Sequence, residues 1–293
     1  MKSFFKRIIF HIIGAKIWKC RIRKYKKWKI INYLKKDLKT NQTVEKTEIV
    51  DFLTHNPFSV FPYNFIKKYN RKDIIVYTDN DCGMKYVLQD NKRLYFKNNW
   101  RNKKIQKYYN SLLIEQDIDS PHRYEYSDFR VQKGDIVVDV GAAEGNFALS
   151  IIEEAERVYL FEVDEKWIDA LKMTFAPWKE KVIIVNKYVS DTNDNNCVRL
   201  DDFLKEEQIH FLKIDVEGAE LQLLTGAEVI LSTQKSIKIA VCTYHKQNDA
   251  KDLNQMLMNY DFHTEFSKGY MIFLHDKALA PSYLRKGLIR ATK

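Results

Sequence analysis

Ile136-Val137-Val138-Asp139-Val140-Gly141-Ala142-Ala143-Glu144-Gly145-Asn146-Phe147 decides the fold. Its first five residues are an apolar run broken only at Asp139, the pattern of a strand buried on both faces. Gly141, Ala142, Ala143 and Gly145 then give a tight turn over which a ligand can approach the backbone. Asn146 opens a helical segment reaching about Glu154. A nicotinamide fingerprint needs G-x-G-x-x-G, but Ala143 stands at its second glycine and Gly145 comes four residues after Gly141. A dinucleotide pyrophosphate is therefore not the expected ligand.

Outward from this loop, strands and helices alternate. Arg157–Val163 predicts a second strand, ending on Glu162, 21 residues after Gly141. An acid at that separation grips a ribose diol, two oxygens to two hydroxyls; the plainer reading is an exposed strand-end acid. Further strands are predicted at Val182–Asn186, Ile209–Ile214 and Ile237–Thr243, with helices at Glu165–Phe175, Ala219–Leu231 and Ala250–Asn259. Phe262–Phe266 and Tyr270–Leu274, either side of Ser267-Lys268-Gly269, predict a terminal hairpin. Alternating βα units imply a doubly wound α/β domain with a mostly parallel sheet. A nucleoside donor without a pyrophosphate, S-adenosylmethionine, suits this loop. Its ammonium would need Asp139 or a loop carbonyl as acceptor, unless Asp139 only braces the loop. Ser190-Asp191 follows the third strand, where Asp191 either accepts the adenine amine or belongs to a polar turn.

Asp215 and Glu217 follow the fourth strand, at the edge where open α/β sheets bind ligands. Two acids there can hold a divalent cation, orient an acceptor hydroxyl or take its proton; alternatively Asp215 meets the cofactor and Glu217 caps the next helix. His245 follows the fifth strand. A neutral imidazole there can accept a hydroxyl proton, join the acids around a cation, or bond to backbone.

Val138-Asp139-Val140-Gly141-Ala142, Phe161-Glu162 and Lys213-Ile214-Asp215-Val216-Glu217-Gly218-Ala219-Glu220, followed by Leu224, Gly226 and Ala227, resemble the FkbM family of class I methyltransferases over roughly residues 120–275. The resemblance implies a seven-stranded Rossmann-like sheet ending in an antiparallel hairpin, S-adenosylmethionine as donor, and O-methylation. Such enzymes accompany sugar, polysaccharide or natural-product assembly. Carried across, Asp139, Gly141, Ala142, Ala143, Gly145, Asn146, Glu162, Ser190, Asp191 and Asp215 would line the cofactor, and Asp215, Glu217 and His245 the reaction. Two departures stand out: Val163 replaces a usual proline, and Cys242-Thr243-Tyr244 precedes His245 where many members have an acid. The expected acceptor is a hydroxyl on a sugar, glycan or related metabolite. RNA or protein methylation is the alternative, and a membrane-docked, non-catalytic protein retaining the fold is a third reading.

The chain has 293 residues, 45% of them apolar, enough for one α/β domain and appendages. Its net charge of +10 is concentrated: residues 1–40 carry 14 Lys/Arg against one acid, Asp37, so the other 253 residues sum to −3. A near-neutral body argues against nucleic acid. Residues 1–40 predict a basic helix with a stripe at Phe5, Ile8, Ile9, Ile12 and Ile13, extended by Trp18, Ile22 and Tyr25. Residues 1–36 are expected to lie on an anionic membrane surface or to pack on the body. Ile8–Ala15 is too short to span a bilayer, and no secretory signal is expected. Residues 41–130 predict a small α/β cap, 131–280 the main domain and 281–293 a basic tail. Cys20, Cys82, Cys197 and Cys242 include no C-x-x-C pair, so neither a zinc site nor a disulfide framework is suggested; they fit a reduced, cytoplasmic compartment, and the inner face of the membrane is the expected location if residues 1–36 dock there.

Overall fold

The computed structural model describes residues 2–276 and 279–293, with side chains from Cys20 onward. It divides into two compact units. One comprises residues 1–64 and 270–285; the other comprises 65–269 and 286–293.

In the first unit, α1 (Lys2–Asp37) packs on α2 (Val44–His55). Thr43 caps α2, accepting from the Lys46 backbone N–H. Ile30 and Leu34 of α1 are buried with Ile49 and Leu53 of α2. The expected stripe before Cys20 lies outside the described side chains. Of its continuation, Ile22 and Tyr25 are exposed, and the packed face is set by Ile30 and Leu34.

The second unit opens with a three-stranded antiparallel sheet: β1 (Tyr77–Thr78), β2 (Lys85–Gln89) and β3 (Lys92–Tyr95). Asp90 and Asn91, both at positive φ, join β2 to β3 in a two-residue turn. Then come α3 (Asn102–Glu115), β4 (Ile136–Val140), α4 (Asn146–Ser150), β5 (Arg157–Phe161), α5 (Glu165–Thr174) and β6 (Val182–Val185). A small parallel pair, β7 (Tyr188–Val189) and β8 (Cys197–Val198), precedes α6 (Leu200–Phe203) and β9 (Phe211–Ile214). The chain continues through α7 (Glu220–Thr225), α8 (Glu228–Thr233), β10 (Lys238–Cys242), α9 (Asp249–Asn259), β11 (His263–Phe266) and β12 (Leu288–Thr292).

The main sheet has the order β11-β12-β10-β9-β4-β5-β6. It is parallel except for β12, which runs antiparallel to both neighbours. This is the doubly wound, mostly parallel sheet that the alternation predicts, with the seven strands that the family resemblance implies. The chain starts in the middle at β4, winds out to β6, and returns to β9 on the other side of β4. The winding therefore reverses between β4 and β9, and a crevice at the carboxyl ends of these strands is where such sheets bind ligands.

Four expectations need correction. The last strand is not Tyr270–Leu274 but Leu288–Thr292. Residues 270–285 leave the sheet, with Ile272 N–H donating to Val60 O, and Met271 bridging Arg285, inside the first unit. Residues 281–293 are therefore no basic tail: Leu288, Ile289 and Ala291 are fully buried, and Arg290 satisfies its guanidinium on the carbonyls of Arg123 and Tyr124. The predicted cap is also divided, 41–64 falling in the first unit and 65–130 joining the main sheet's unit. The helix expected over Ala219–Leu231 breaks at Gly226, which packs so closely that a Cβ there would stand 1.9 Å from Ser190 O.

Candidate active site

The loop after β4 is shaped by close approaches. Gly141 sits at φ 75°, and a Cβ on it would fall 2.0 Å from the backbone oxygen of Asp215. Gly145 (φ 81°) lies against α5, where a Cβ would meet Leu171 at 2.7 Å and Phe175 at 2.8 Å. The amides of Gly141 and Ala142 both donate to Phe161 O, clamping the loop to the end of β5. Ala143 (φ 48°) donates its N–H to Glu162 Oε2 at 2.9 Å, while Oε1 accepts from Val163 (2.7 Å) and Asp164 (2.8 Å). Three backbone donors thus fix the half-buried Glu162 carboxylate beside the loop. Its remaining lone pairs are available to a pair of hydroxyls. Asn146 opens α4, its side-chain oxygen accepting from Phe147 N–H. Ser190 Oγ donates to Asp191 Oδ1 at 3.0 Å, and both residues are half-buried behind Gly226.

Asp139 lies in a buried ion pair. It is 1% exposed, and Lys213 Nζ lies 2.8 Å from its Oδ1. The two residues are Cα partners across β4 and β9, so their side chains share a face. Lys213, 4% exposed, also donates to Gly141 O at 2.7 Å. Burial raises the Asp139 pKa despite Lys213. Burial opposes the Lys213 charge, but Asp139 and Asp215 outweigh it and raise its pKa. The pair ties the loop to β9.

Asp215, just beyond β9, is the hub of the site. Its Oδ2 accepts from Tyr124 Oη at 3.0 Å and its Oδ1 from Tyr244 Oη at 3.2 Å. His122 Nε2 lies 3.6 Å from Oδ2, and His245 Nε2 lies 3.5 Å from Oδ1. Burial works against the Asp215 charge, but His122, Lys213, His245 and the Tyr124 hydroxyl prevail and its pKa is lowered. His122 is buried, bonded to Tyr244 Oη at 3.1 Å, and burial pushes its pKa down to about 4. His245 has the opposite balance. Burial disfavours its charge, but Glu220 Oε1 at 2.8 Å from Nδ1 and the charge of Asp215 raise its pKa.

Glu217 is not part of this cluster. It is exposed at φ 53°, and the acid that reaches His245 is the fully buried Glu220, which also accepts the amides of Val216 and Gly218. A second acidic group lies toward α3. Tyr108 Oη donates to Glu144 Oε2 at 2.6 Å; burial pushes Glu144 up to about 7 and Glu115 up to about 8. Two trios, His122–Asp215–Cys242 and Asp215–Glu220–His245, have donor atoms close enough to hold a cation. The second is already joined by the His245–Glu220 contact and by backbone amides on Glu220, so no ion is needed to account for its arrangement.

The sequence pattern of the Methyltransferase FkbM domain matches residues 102–266, more than half of the chain. The chain belongs to the FkbM methyltransferase family. The match starts at α3 rather than at the expected boundary near 131, so Tyr108, Glu115, His122 and Tyr124 are part of the FkbM domain. A comparison with curated proteins finds no match. Among solved structures, a methyltransferase FkbM from Methylobacillus flagellatus aligns with TM-score 0.45 and 17% identity, covering 66% of this chain and 53% of that one. The chain thus spans about half the length of that protein. An rRNA methylase from Streptococcus thermophilus aligns at TM-score 0.39 and 17% identity over 55% of this chain and 87% of its own. TrmK from M. capricolum, in complex with S-adenosylhomocysteine, aligns at TM-score 0.38 and 11% identity over 56% of this chain and 64% of its own.

Sequence reading did not assign roles to Lys213, Glu220, Tyr244, Glu144 or Tyr108. Lys213 and Glu220 stood inside the most family-specific block, where a lysine in an otherwise apolar strand was a signal for a buried partner. Tyr108–Glu144 links positions 36 residues apart, and nothing local announces it.

Proposed function

We propose that this FkbM-family protein transfers a methyl group from S-adenosylmethionine to a hydroxyl of a sugar, glycan or related metabolite. The observation that carries the reading is His245, held at Nδ1 by buried Glu220 with Nε2 turned toward Asp215. That is the arrangement of an oriented general base. The donor supplies an already activated sulfonium methyl. Glu162 would take the ribose hydroxyls, Ser190 and Asp191 the adenine side, and the Gly141–Gly145 backbone the methionine part. The Asp215 carboxylate, whose pKa is lowered, puts negative charge at the site, which suits a cationic donor. Asp215, braced by Tyr124 and Tyr244, would orient the acceptor hydroxyl. Its proton passes to His245 Nε2 as the oxygen–methyl bond forms and the sulfur–methyl bond breaks, and Glu220 stabilises the resulting imidazolium. The free cysteines suit a reducing, cytoplasmic setting.

Incubation with a methyl-labelled donor and, separately, glycan, small-sugar and RNA fractions tests this. Label is expected in the sugar-bearing fractions, as an alkali-stable ether. His245→Ala should lower turnover by about 100-fold or more while leaving donor affinity unchanged. Label confined to RNA, or full turnover by His245→Ala, contradicts the reading.

A further inference from the structure

We propose that the outward face of α1 between Arg21 and Lys36 docks on an anionic lipid surface. The helix presents two different faces. Ile30 and Leu34 are buried on α2, and Lys27 Nζ and Arg23 hold the same side by donating to the carbonyls of Asn56 and Phe58. On the opposite side Tyr25 and Trp28 are 62% and 59% exposed, one helical turn apart, with rings stacked at 6.0 Å and 27°. Exposed Ile22 extends this apolar strip. Arg21, Lys24, Lys29, Lys35 and Lys36 surround it, all exposed. No acid occurs from 20 to 36, and Asp37 is paired with Lys46 at 2.7 Å.

Stacked aromatic rings on a convex, acid-free helix face are costly in water and favoured at a membrane interface, where the rings sit at headgroup depth. The surrounding lysines keep their stems along the strip and reach lipid phosphates with their ammonium groups. Among the described residues no helix is long and apolar enough to cross a bilayer, so this face would lie on the surface rather than pass through it. A nucleic acid would engage the same charges, but the apolar strip of Ile22, Tyr25 and Trp28 matches an acyl boundary better than a phosphate backbone.

The test is sedimentation of the full chain with phosphatidylcholine vesicles, with and without phosphatidylglycerol. Binding is expected to be about 10-fold or more stronger to the anionic vesicles and to weaken as salt is raised. The Tyr25→Ser/Trp28→Ser double variant alters only exposed side chains, so its thermal melt should match the wild type. Its affinity for anionic vesicles should fall by about 10-fold or more. Equal pelleting of the double variant, no preference for anionic vesicles, or tRNA binding that is tighter than vesicle binding and indifferent to the two aromatic residues would each overturn the proposal.

Discussion

His122 and His245 approach the two oxygens of one carboxylate, Asp215, yet their surroundings set them apart. Burial leaves His122 neutral down to about pH 4, so it serves as a hydrogen-bond partner of Tyr244. Glu220 and Asp215 hold His245 protonated to a higher pH than a free imidazole. A base must first lose that proton, so kcat should rise with pH through an inflection above about 6.5. Replacing Glu220 by Gln removes the charge on Nδ1; the inflection should move down and kcat should fall, with KM for the donor unchanged. A pH–rate profile that does not move shows that Glu220 has no part in positioning the base. Asp215 and His245 were legible in the sequence because both end strands of a recognisable sheet. Glu220 was not, because the positive φ angles of Glu217 (53°) and Gly218 (103°) reverse the chain. That turn exposes Glu217 and brings back the acid three residues later.

At the scale of elements, the β4 loop joins two demands: closeness to β9 and attachment to β5. Gly141→Ala meets both obstacles at once, a left-handed φ and a backbone oxygen 2.0 Å from the new Cβ. It should destabilise by roughly 3 kcal/mol and abolish donor binding, read by a thermal melt and calorimetry. An unchanged melt would contradict the packing of this loop. Glu144 links the loop to α3 through Tyr108. Its carboxyl is raised from 4.5 to about 7, so the folded state holds this proton more tightly than the unfolded chain does. The resulting stability is complete below about pH 4.5 and is lost as pH rises through about 7. Glu144→Gln should therefore flatten the fall in melting temperature over that window; an identical slope contradicts it. Apolar runs made β4, β5, β9 and β10, buried on both faces, readable, and the half-buried edge strand β6 with them. The two-residue strands β7 and β8 carry no period to read, and the contact that requires glycine at 226 is made by Ser190, distant in sequence.

For the whole molecule, the sheet closes through a strand that the sequence hid. β12 pairs with both β10 and β11, yet Arg285, Lys286, Arg290 and Lys293 made its surroundings read as a solvated tail. The detour of residues 270–285 out of the sheet also moved the second hairpin strand away from the nearest turn. A chain ending at Arg285 should lose the strand between β10 and β11 and fail to give a cooperative melt; a native-like melt would show that β12 is dispensable. The class of the fold and its cofactor loop were thus legible from strand order and spacing, while the closing strand and the Tyr124 and Tyr244 hydroxyls on Asp215 depend on contacts between distant residues. The most direct measurement is calorimetric titration of the full chain with S-adenosylhomocysteine. One binding site is expected, retained in His245→Ala and weakened about 10-fold or more in Glu162→Ala through loss of charge-assisted hydrogen bonds. No binding by the wild type, or equal binding by Glu162→Ala, would contradict a methyl-donor site at the Gly141–Gly145 loop.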